Sequence, residues 1–128
     1  MSISKTRHYI TLALTILLAV AFLGAGFAKV SGQASMVEAF THFELPDWFR
    51  VSIGLLEMLG GILLIIPSFT SMASFGLSII MIGGAACHAM YDPLNTAVPA
   101  LLFFVVLTYI YLTRKNVVPK FLQKKLIG

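Results

Sequence analysis

An all-α integral membrane fold is what this sequence predicts: a four-helix bundle with a short amphipathic helix between its first and second transmembrane helices. Three observations carry the prediction. Of 128 residues, 59% are hydrophobic and only 11% are charged, against roughly 25% charged in soluble domains. The apolar residues gather in four blocks, at about 9–30, 48–67, 72–90 and 95–113, each near the roughly 20 residues that a membrane-crossing helix needs. The charges collect outside those blocks: Lys5 and Arg7 precede the first, and Arg114, Lys115, Lys120, Lys124 and Lys125 follow the last. Such flanks are cytoplasmic by the positive-inside rule. The expectation is therefore one domain over 1–128, multi-pass in a cell (inner) membrane, with both termini cytoplasmic and a basic tail over 114–128.

The net charge of +4 does not point to nucleic acid, because the cations flank apolar blocks, where anionic lipid attracts them. The expected surroundings are the lipid bilayer, with a membrane-protein partner or a second copy of the chain, and no nucleic acid. The one cysteine, Cys87, rules out an internal disulfide and any two-thiol chemistry within the chain. The first block is longer than the 7–15 residues usual for the apolar part of a signal peptide, so it is expected to be a retained helix.

Helix one carries Ala21, Gly24, Ala25 and Ala28 on one side, a face suited to close helix contact. Lys29 at its outer end has two readings: a cation that snorkels to the headgroups, or an inward counter-ion for a carboxylate. Ser31-Gly32 stops the helix. Ser35-Met-Val-Glu38 matches a capping box and opens the amphipathic helix, with Met36, Val37, Phe40 and Phe43 on one side and Glu38, Thr41 and His42 on the other. Glu38 and His42 are i, i+4 neighbours and read as a solvated pair. Pro46-Asp47 begins helix two with Asp47 as N-cap, and Trp48 falls at the aromatic belt. Pro67-Ser-Phe-Thr-Ser is a cytoplasmic turn. Helix three has Gly76, Gly83, Gly84, Ala85 and Ala86 and ends in Cys87-His88. Tyr91-Asp92-Pro93 forms the outer turn, Asn95 or Thr96 opens helix four, and Tyr109 and Tyr111 mark the cytoplasmic interface.

Helix two concentrates the chemistry. Arg50, Gly54, Glu57 and Gly61 fall at i, i+4, i+7 and i+11, one narrow helical face. Glu57 is the only Asp, Glu, Lys or Arg between Arg50 and Asp92. Mid-bilayer charge is costly and faces protein or water rather than lipid. Glu57, Lys29, His88, Arg50 and Asn95 are therefore the pocket or ligand-binding candidates, with Glu57 as the floor of a polar cavity opening outward. Gly54, Gly60, Gly61 and Gly84 are the helix-packing candidates. The competing reading of Glu57 is a structural pin that hydrogen-bonds a neighbouring helix without chemistry. No metal spacing, phosphate loop or Ser-His-Asp set is present, so no catalytic residue and no metal ligand is assigned.

Gly26-Phe-Ala-Lys29-Val at the end of helix one, the connector from Phe40 to Leu45-Pro46, and Leu56-Glu57-Met-Leu-Gly60-Gly61 in helix two resemble the DoxX and DoxX-like family over residues 7–113. The resemblance implies a small four-helix membrane protein and maps the family's Gly-x-x-Lys element onto Gly26 and Lys29 and its helix-two acid onto Glu57. It also implies a link to membrane oxidoreductase complexes that handle thiols or quinones. Two functions compete on that footing. One is an accessory subunit of a redox complex, holding a bound quinone or lipid near Glu57, rather than a self-sufficient enzyme. The other is a non-enzymatic assembly factor that grips a partner through small-residue faces.

Overall fold

A computed structural model of the chain describes residues 3–116. Among them are five α-helices and no strand: α1 (Ile3–Ser31), α2 (Ala34–His42), α3 (Asp47–Leu64), α4 (Thr70–Tyr91) and α5 (Val98–Arg114), with 3₁₀ turns at Pro67–Phe69 and Leu94–Ala97. Lys120, Lys124 and Lys125 of the expected basic tail lie outside the described residues.

Three stretches are long and apolar enough to cross a membrane: Ser4–Ser31, Pro67–Tyr91 and Leu94–Arg114. The expected fourth, α3, is shorter at 18 residues and carries Asp47, Arg50 and Glu57. Its length of about 27 Å, at 1.5 Å per residue, falls just under the roughly 30 Å of a hydrocarbon core.

The core is shared among the long helices. Leu18, Ala19 and Phe22 of α1, Leu64 of α3, Ala73 and Leu77 of α4, and Leu107 and Ile110 of α5 form one buried cluster. Helix α1 packs mainly on α3 and α4 on α5, while α3 meets α4. The outward residues are large and apolar too, among them Leu17, Val20, Leu55, Ile79, Leu102 and Val105. Such a surface suits lipid rather than water. Two buried hydroxyls return to their own helices: Thr15 donates to the Thr11 carbonyl at 2.6 Å and Ser78 to the Ser74 carbonyl at 2.7 Å. These bonds satisfy polar atoms without calling on water.

Several local expectations are corrected. Helix α2 begins at Ala34 with Gln33 as its cap residue and no side-chain capping bond, so Ser35 does not act as the N-cap of a capping box. The cause lies upstream. Gly32 sits at φ 75°, its N–H donates to Lys29 O at 3.4 Å, and Gln33 N–H donates to Ala28 O at 3.0 Å. This Schellman ending reverses the chain at once and leaves Gln33 O to accept from Met36 and Val37. Likewise Pro46, not Asp47, is the cap residue of α3; Asp47 lies in the first turn and pairs with Arg50 at 3.6 Å. Asn95 and Thr96 occupy a 3₁₀ turn, and α5 proper starts at Val98 with Pro99 in its first turn, where a missing N–H costs nothing.

Helix α1 presents a different face from the expected one. Ala21 and Gly24 are exposed, and a Cβ at Gly24 would meet nothing within 4 Å. The buried stripe is Ala19, Phe22 and Gly26, the side that also carries Lys29. Two small-residue stripes compete on this helix, and the one bearing a cation faces the acid of α3.

Candidate functional site

The site grows out of the α1–α3 crossing. An added Cβ at Gly26 would lie 2.5 Å from Gly54 O and 2.6 Å from Met58 Cγ; one at Gly54 would lie 2.8 Å from Gly26 O and 2.9 Å from Lys29 Cβ. One helical stretch further, a Cβ at Gly61 would approach Ala19 O to 3.0 Å. Glycine is required at Gly26 and Gly54 because backbone meets backbone there.

That approach explains how Lys29 finds Glu57. Side chains on a helix lean toward its N-terminus, so the Lys29 stem runs back along α1, over the gap left by Gly54. Its ammonium lies 3.2 Å from both carboxylate oxygens of Glu57. The pair is enclosed, with side-chain exposures of 15% for Lys29 and 3% for Glu57. A buried acid with a buried cation on it is a coupled unit, because either partner alone would be an uncompensated charge in an apolar setting.

Arg50 completes the cluster from above. Buried in the first turn of α3, it donates through Nη1 to the backbone carbonyl of Lys29 and pairs through Nη2 with Asp47. A guanidinium on this last-turn carbonyl, which otherwise accepts only the long bond from Gly32 N–H, complements the negative end of the α1 dipole. Its Nε has no hydrogen-bond partner. Arg50 therefore binds the end of α1, while Lys29, alone among the described residues, meets Glu57.

The other candidates lie elsewhere. His88 belongs to a second cluster at the C-terminal end of α4. Asp92 there receives His88 Nδ1 at 3.0 Å on one oxygen and His42 Nε2 at 2.8 Å on the other. Tyr91 donates to Glu44 at 2.9 Å, and the Phe43 ring stands edge-on to His88 with centroids 5.2 Å apart. These contacts fasten the end of α2 to the end of α4. His42 thus pairs with Asp92, where sequence spacing offered Glu38. Asn95 is exposed. Gly60 packs on Leu77, an added Cβ falling 2.7 Å from its Cδ2, whereas one at Gly84 would meet nothing within 4 Å.

The hydrogen bonds from His88 and then His42 hold the Asp92 carboxyl below its ordinary 3.8. A depressed carboxylate contributes stability above its unfolded value and loses it as pH falls through the folded one. The fluorescence of Trp48, the chain's one tryptophan, should therefore show an acid transition below pH 3.8 as α2 loosens, and Asp92→Ala should abolish that transition. The same variant at neutral pH should speed amide exchange in α2 severalfold, with α1 and α5 unchanged.

Among the described residues no group of three or more His, Cys, Asp or Glu is placed to hold a metal ion. Lys29 and Glu57 pair with each other where the glycine crossing brings α1 onto α3. An open groove of about 390 Å³ lies instead between α4 and α5, and none of Lys29, Arg50, Glu57, His88 or Asn95 lines it.

A sequence profile for the DoxX-like family matches residues 13–110, a span that holds α2, α3 and α4 whole. YdgD of Bacillus subtilis (strain 168), whose name describes it as an uncharacterized protein, is 27% identical over 95 residues, which is 72% of this chain and 83% of that one. No solved structure matches.

Proposed function

Because this chain belongs to the DoxX-like family, we propose that it is a membrane-embedded accessory subunit of a quinone- or thiol-linked redox complex, rather than an enzyme in its own right. The observation that carries this reading is the Lys29–Glu57 pair, enclosed within a chain that exposes many large apolar side chains along its long helices. Ionisable groups held inside a membrane mark functional sites, and here the pair also sets the spacing of α1 and α3. In this reading the four long helices all cross the inner membrane as one domain, α3 with the help of Ile65 and Ile66, and both termini are cytoplasmic. Any quinone or lipid taken up near Glu57 requires Lys29 to swing away from it, with Arg50 keeping α1 and α3 together at the outer end.

The test is a deletion strain complemented with wild type, Glu57→Gln or Lys29→Met. Quinone-dependent electron flow should fall on deletion, return with wild type, and stay low with either variant when normalised to the folded protein present in the membrane. Unchanged flow in the deletion strain would remove the redox reading.

A second reading, a non-enzymatic assembly or binding subunit, is favoured by α4. Gly76, Gly83 and Gly84 each have open space where a side chain would go, so another helix could approach there as α1 approaches α3. Gly83→Leu would then abolish capture of a membrane partner without lowering the yield of folded chain. Gly54 and Gly61 cannot serve this test, since both are used inside the fold.

A further inference from the structure

We propose that the groove between α4 and α5 is a binding site for an anionic phospholipid, one acyl chain lying in the groove and the headgroup phosphate meeting Lys115, with Arg114 adding to the positive field at that end. The site rests on the membrane reading above and is separate from the Lys29–Glu57 pair.

The groove is apolar along its length, with Phe75, Ile79 and Ile82 of α4 on one wall and Phe104 and Leu112 of α5 on the other. Its volume, about 390 Å³, is within the ~300–1,000 Å³ of small-ligand sites. From Phe104 to Leu112 it runs about 12 Å along the axis, at 1.5 Å per residue, which suits a stretch of acyl chain rather than a polar solute.

Cations lie beyond one end of the groove. Thr108, Tyr111 and Leu112 line it, and Lys115 continues that stripe at i+7, i+4 and i+3. Arg114 is the neighbouring residue, held toward α1 by its Nη2 at 3.0 Å from His8 Nδ1. That contact, with Thr11 on Tyr109 at 3.2 Å, brings Lys5 and Arg7 to the same end of the molecule. No Asp or Glu occurs in residues 1–37 or 93–128, so the groove opens into an undiluted positive field. Basic sites between membrane helices on the cytoplasmic side select anionic headgroups in this way. Tyr111, whose ring packs on Phe75 with centroids 5.7 Å apart, sits where the chain would meet the headgroup, the depth tyrosine favours.

The full chain, reconstituted with equal phosphatidylglycerol and phosphatidylcholine and re-extracted in mild detergent, is weighed by native mass spectrometry. Wild type should retain phosphatidylglycerol over phosphatidylcholine by about fivefold or more, since one cation near an anionic headgroup contributes about that factor. Lys115→Gln should reduce the preference and R114Q/K115Q should remove it. Ile79→Trp, an exposed position whose new ring would fill the groove, should lower retention of both lipids, while Ile16→Trp on the far face of α1 should not. Equal retention of the two lipids by wild type overturns the proposal. So does a preference that survives R114Q/K115Q but is lost in K120Q/K124Q/K125Q, or retention unaffected by Ile79→Trp. A dimer that Ile79→Trp splits would instead assign the groove to a second copy. Release of the chain from vesicles by alkaline carbonate would defeat the membrane reading itself.

Discussion

Glu57→Gln is expected to destabilise the protein by about 3–5 kcal/mol, the cost of leaving one member of a buried ion pair without its partner. The glutamine has nearly the volume of the acid, so packing is preserved and the loss reports charge alone. Lys29, largely enclosed beside it, would be left with an uncompensated ammonium. Lys29→Met should cost less, because a carboxyl can take up a proton and become neutral where an ammonium must lose one. Thermal unfolding of the purified chain in detergent measures both. The ordering matters as much as the size: a Glu57→Gln variant as stable as wild type would mean that the pair contributes nothing to the fold.

The second large effect is expected at the helix crossing. Gly26→Ala places a methyl 2.5 Å from the Gly54 carbonyl oxygen and 3.0 Å from the Met58 backbone nitrogen. Neither neighbour is the end of a flexible side chain, so the helices must move apart and the Lys29–Glu57 contact lengthens with them. Overpacking of this kind costs about 1–3 kcal/mol, and the strained pair adds to it. The paired control is Gly76→Ala, where nothing lies within 4 Å; losing a mid-helix glycine there should stabilise by up to about 1 kcal/mol. Equal effects at the two positions, in stability curves run side by side, would refute the assignment of Gly26 to a backbone contact.

How much of this was legible in the sequence depends on the distance over which each feature is decided. The face of α3 was readable because helical period alone places Arg50, Gly54, Glu57 and Gly61 in one row, and all four are buried together with Leu64. Lys29 was readable as a counter-ion candidate, since an inward acid at mid-depth calls for one. That it reaches Glu57 directly depends on the offset between two helices and on the gap over Gly54, which no single-helix pattern contains. The packing face of α1 was misread for a related reason. Ala21, Gly24, Ala25 and Ala28 form the denser small-residue stripe, but Gly26 and Ala19 lie on the side of the charge. The cluster around Asp92 was not legible at all: His42 and Asp92 are fifty residues apart, while Glu38 stood at helical spacing and offered a nearer false partner.

A double-mutant cycle on Lys29 and Glu57, with unfolding free energies for wild type, Lys29→Met, Glu57→Gln and the double variant, tests the buried pair most directly. The structure predicts strong non-additivity, the double variant being more stable than the sum of the single losses by about 2 kcal/mol or more, near the upper part of the range for residues in contact. Additivity within about 0.5 kcal/mol, the behaviour of independent sites, would contradict it.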